Sequence, residues 1–86
     1  MASLTSVIRD IIWDVGAIPD KFSQRGGVFT WKRAYFYRHG ESAGKYAAEI
    51  VAGLAKSGIR STIVEAYDDY HNWPTTSYFV VRFKIV

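Results

Sequence analysis

A chain of 86 residues has room for one small domain with a single core, since at that size roughly 60–65% of the unfolded surface can be buried. Hydrophobic residues at 49% and charged residues at 22% are globular proportions that exclude a disordered polyelectrolyte, and the absence of cysteine excludes disulfides, thiol nucleophiles, thiolate zinc sites and iron–sulfur clusters. Eleven Lys and Arg against eight Asp and Glu leave +3, a balance compatible with nucleic acid but far below that of a polybasic protein.

Leu4, Val7, Ile8, Ile11, Ile12 and Val15 recur at the spacing of a helix with one apolar stripe, capped by Ser3 and stopped by Gly16 and Pro19. Residues 16–27 carry Gly, Pro, Ser and Asp with only Ile18 and Phe22 as anchors, and read as a connector. Residues 28–38 are dense in β-branched and aromatic side chains and predict a strand, ended by His39 and Gly40. Ala43, Tyr46, Ala47, Ile50, Val51 and Leu54 form a second helical stripe with Gly58 as its stop. Residues 59–67 and 78–86 predict two further strands, joined by a long hairpin loop from Asp68 to Ser77. The last strand alternates cleanly, with Phe79, Val81, Phe83 and Ile85 on one side and Tyr78, Val80, Arg82 and Lys84 on the other.

These elements predict a single α+β domain over residues 1–86 in the order α-β-α-β-β. The strand–helix–strand crossover should be right-handed, with the last strand inserted between the other two. The result is a two-layer, three-stranded sheet of order 1–3–2, half of a ferredoxin-like layout. Each helix has one apolar stripe, so both belong on one sheet face. The expected core is Leu4, Ile8, Ile11, Ile12, Val15, Tyr46, Ile50, Leu54, Phe79, Val81, Phe83 and Ile85.

The other sheet face is then open. It offers Tyr78, Arg82 and Lys84, and, if Ala34 and Phe36 point inward, Trp31, Arg33, Tyr35 and Tyr37 beside them. The opposite phase buries Phe29, Trp31, Tyr35 and Tyr37. Interleaved aromatic and basic side chains on a bare sheet can stack bases and neutralise phosphates. In topology and in the strand SYFVVRF the chain resembles an RNA recognition motif over about half of that fold, without its second helix, fourth strand or Gly-containing consensus. That resemblance implies single-stranded nucleic-acid binding. The same side chains also suit a protein partner or a homodimer. The 67–77 loop adds Tyr70, His71 and Trp73, the composition of a protein-binding hot spot, while Asp68 and Asp69 would keep phosphate away from that end.

Other chemistries find little footing. RHGESAGKY (38–46) has three residues between its glycines where a phosphate-binding P-loop needs four, and Tyr46 in place of the magnesium-binding hydroxyl. A plain helix N-terminus beside Arg38, His39 and Lys45 could still attract an anion. His39-Gly-Glu41 lacks the paired cysteines of a zinc deaminase, and His39 and His71 stand at no diagnostic metal spacing. No pattern places a nucleophile beside a base. No apolar run approaches the ~20 residues of a membrane span, and neither helix is basic and amphipathic enough for a membrane surface. The expectation is a non-enzymatic binding module without metal or cofactor, soluble and cytoplasmic. It would be a monomer in slight preference to a homodimer, docking on a protein as an inhibitor or adaptor of the kind viruses make, with single-stranded nucleic acid as the alternative partner.

Overall fold

A computed structural model describes residues 3–35, 42–72 and 76–86, the side chains at 35, 70–72 and 76 excepted. In chain order the elements are α1 (Leu4–Asp14), β1 (Lys21–Arg25), β2 (Val28–Tyr35), α2 (Ala43–Lys56), β3 (Ser61–Asn72) and β4 (Thr76–Ile85). The strands make one four-stranded antiparallel sheet in the order β1-β2-β4-β3.

This corrects the expected three-stranded, half-ferredoxin-like sheet of order 1–3–2. The additional strand, β1, lies inside the segment that reads as a connector. Phe22 is its only apolar residue, so alternation does not announce it. Gly26 and Gly27 do: both take positive φ, 59° and 81°, the pair of left-handed conformations that lets a two-residue turn join twisted antiparallel strands. Arg25 thus faces Val28, and Phe22 faces Trp31. The long loop also needs correcting. β3 continues to Asn72, which pairs with Thr76, so the connection is only residues 73–75. Backbone pairing carries Asp68 and Asp69 opposite Phe79 and Tyr78, where side-chain pattern alone suggests loop.

The phase of β2 is the opposite of the one that would present Trp31 and Arg33 to solvent. Phe29, Trp31 and Arg33 register with Phe83, Val81 and Phe79 and share their side of the sheet. Trp31 is fully buried, with its ring 4.9 Å from that of Tyr46 and its Nε1–H donating to the Ala17 carbonyl at 2.8 Å. Phe29 stacks on Phe83 at 5.4 Å, and Phe22 on Phe29 at 5.9 Å. Arg33 reaches over the Tyr46 ring at 5.4 Å, which lets a cation sit at the margin of an apolar layer.

Ile8 and Ile12 of α1, and Tyr46, Ile50 and Leu54 of α2, join these sheet residues in one cluster, so both helices cover the same face. Leu4 and Val15, expected in the core, are 56% and 40% exposed. The reason is position: among the described residues α1 lies closest to α2 and β1, and one flank of its stripe is left uncovered. Val15 nevertheless packs on α2, where Gly53 allows close approach. A methyl at Gly53 would stand 2.8 and 3.2 Å from the two Val15 methyl groups.

Two measurements test this packing. Trp31→Phe removes the donor to a buried carbonyl and leaves a void, and should cost about 2–4 kcal/mol in urea unfolding. Gly53→Ala improves helix propensity by about 1 kcal/mol but overpacks Val15 by about 1–3 kcal/mol, so it should destabilise. In a Val15→Ala background the same change should become stabilising, and a sign that does not reverse would show that Val15 is not the obstacle.

Candidate functional site: the uncovered sheet face

Strand alternation directs Lys21 and Arg25 of β1, Thr30 and Lys32 of β2, and Tyr78, Val80, Arg82 and Lys84 of β4 away from the helices. On β3, Glu65, Tyr67 and Asp69 register with Arg82, Val80 and Tyr78 on that same side. A bulge between Ile63 and Glu65 adds Val64 to it, 48% exposed. Among the described residues no helix covers this face.

Val80 is nonetheless fully buried at its centre. Its same-face neighbours are Lys32, Tyr67, Tyr78 and Arg82, whose stems and rings shield it. The Lys21 ammonium stands 5.4 Å from the centroid of the Tyr78 ring. Arg82 Nη1 pairs with Glu65 Oε1 at 3.3 Å; with both side chains over 40% exposed, the pair contributes under about 1 kcal/mol. Arg82 Nε is buried without a hydrogen-bond partner. An open groove of about 300 Å³ lies between Arg25, Val28 and Thr30 on one side and Val64 and Arg82 on the other. The face is therefore basic over β1, β2 and β4, acidic along β3, and apolar between.

The structure sorts the site residues read from sequence. Tyr78, Arg82 and Lys84 lie on this face, whereas Trp31 and Arg33 face the helices. Tyr35 sits at a helix-side register position opposite Ser77. Tyr70 and His71 belong to β3 rather than to a loop, and their side chains, with all of Tyr37 and Trp73, lie outside the described residues. Sequence reasoning missed Lys21, Arg25, Lys32, Val64 and Tyr67. The Gly26–Gly27 pair was the available signal for the first two, while the β3 bulge left none for Val64.

The supposed anion site at the α2 N-terminus is corrected as well. Ser42 Oγ accepts from the Lys45 N–H at 3.2 Å, and Asp68 Oδ1, reaching across from β3, accepts from the Ala43 N–H at 3.1 Å. A carboxylate of the chain already holds that place, where the helix dipole favours it. Asp68→Ala should therefore lower stability by about 1 kcal/mol and Asp68→Asn by less, as read by urea unfolding, because the amide oxygen still accepts.

No helix among the described residues is long and apolar enough to cross a membrane, and no group of three or more His, Asp or Glu side chains gathers among them. Compared with protein-family models, curated proteins and solved structures, the chain matches none.

Proposed function

We propose that the chain is a non-enzymatic binding module that docks on a protein partner through the uncovered sheet face, as an inhibitor or adaptor. The observation that carries this reading is the make-up of that face. A solvent-facing side of an antiparallel sheet is ordinarily polar, yet here Tyr67 and Tyr78 flank a buried Val80 beside Lys32 and Arg82, and Val28 and Val64 line the adjoining groove with Arg25. Tyr and Arg around a small apolar centre are the composition of a protein interface.

Single-stranded nucleic acid is less well served. The stacking platform loses Trp31 to the core, and the Tyr78 ring already carries Lys21 against it. Glu65 and Asp69 share the face and repel phosphate.

Affinity capture with quantitative mass spectrometry tests the proposal. A protein retained by the native chain should be lost at least about tenfold from a Val64→Glu, Tyr78→Ala variant, consistent with hot-spot losses above ~1.4 kcal/mol. It should stay bound to a Leu4→Ser variant, which alters the exposed flank of α1 instead. Equal retention by the native chain and the sheet variant would remove the face from consideration.

A further inference from the structure

We infer that the partner segment received on this face is acidic: a polypeptide stretch with carboxylates next to an aliphatic or aromatic residue, one carboxylate entering the groove between Arg25 and Arg82. The inference rests on the docking reading above and names the chemistry of the partner. The groove is lined by two guanidinium side chains, two valines and one threonine, with no acid among them. Planar guanidinium groups bind carboxylates through paired N–H donors, and the valines favour an apolar neighbour in the ligand.

The charge around the groove is unbalanced in the same sense. Glu65 pairs with Arg82 through Nη1 at 3.3 Å, and the Arg82 side chain remains 43% exposed. Lys21, Arg25, Lys32 and Lys84 have no ion-pair partner among the described residues. An acidic segment crossing from β1 to β4 would meet these cations in turn, and the attraction would steer its approach. Phosphate would meet them too, but would bring no apolar group to Val28 and Val64. A second copy of the chain would bring the same surplus of cations.

The experiment is selection of a random dodecapeptide display library on the folded chain, followed by fluorescence polarisation of the selected peptides as synthetic, labelled molecules. Selected peptides should be net negative, with Asp or Glu beside a large apolar residue. Their affinity should fall at least about tenfold between about 50 and about 300 mM salt. Arg25→Ala and Lys32→Ala should each weaken binding about tenfold, the range of a lost interfacial charge pair. Lys45→Ala, exposed on α2, should leave it unchanged. Neutral or basic peptides that still depend on Val64 and Tyr78 would overturn the acidic partner while leaving the docking face intact. No selected peptide, or peptides indifferent to every change on this face, would remove the docking reading as well. Labelled oligothymidine binding more tightly than the best peptide would assign the face to nucleic acid. A sedimenting dimer abolished by Arg25→Glu would assign it to a second copy.

Discussion

The buried indole of Trp31 holds the domain together. It lies between the two layers, against Tyr46 of α2, and its one polar atom is satisfied by the Ala17 carbonyl just after α1. A single side chain thus ties the exit of the first helix, the second strand of the sheet and the second helix. An indole N–H has no second use in an apolar layer, so this bond admits one phase for β2. Asp20 reinforces it locally: its backbone N–H donates to the Lys32 carbonyl at 2.8 Å and its Oδ2 accepts from the Ala34 N–H at 2.7 Å. These bonds prolong the β1–β2 ladder toward the α1 end.

The outward composition follows from that phase. A slip of one residue in β2 would exchange Thr30, Lys32 and Ala34 for Trp31 and Arg33, turning a basic face with an apolar centre into an aromatic platform. The character of the candidate interface is therefore decided inside the core, by where one ring can be buried with its N–H paired.

Legibility from sequence varied with how many side chains on an element repeat the same message. α1 and α2 each show a full apolar stripe with a serine cap, and β4 alternates through Phe79, Val81 and Phe83, so their places were readable. β2 was ambiguous because both parities carry apolar groups, and because Arg33 stands on the buried side while Ala34 stands on the open one. The half-buried Arg33 at this core parity lies over the Tyr46 ring, 5.4 Å from its centroid. β1, with one apolar residue in five, is specified by the turn and by its partner strand rather than by its own side chains. Leu4 and Val15 follow the stripe faithfully yet stay exposed, because periodicity tells which way a side chain points and not whether a neighbour is there to cover it.

The bulge in β3 has a consequence for how copies of this chain behave when crowded. Among the described residues the sheet ends in two edges without a paired strand, β1 and β3, and β3 is the long one at 12 residues. A straight edge of that length is a template on which other chains can add strand upon strand into a fibril. The shift at Ile63/Glu65 breaks the hydrogen-bonding rhythm midway, and a second irregularity follows between Asp69 and Asn72. An incoming strand would have to reproduce both kinks to stay in register. The other edge is five residues long and bears Lys21 and Arg25. Fibrillar growth is thus hindered at both ends of the sheet, which leaves the molecule free to keep an apolar-centred face uncovered without propagating through its backbone.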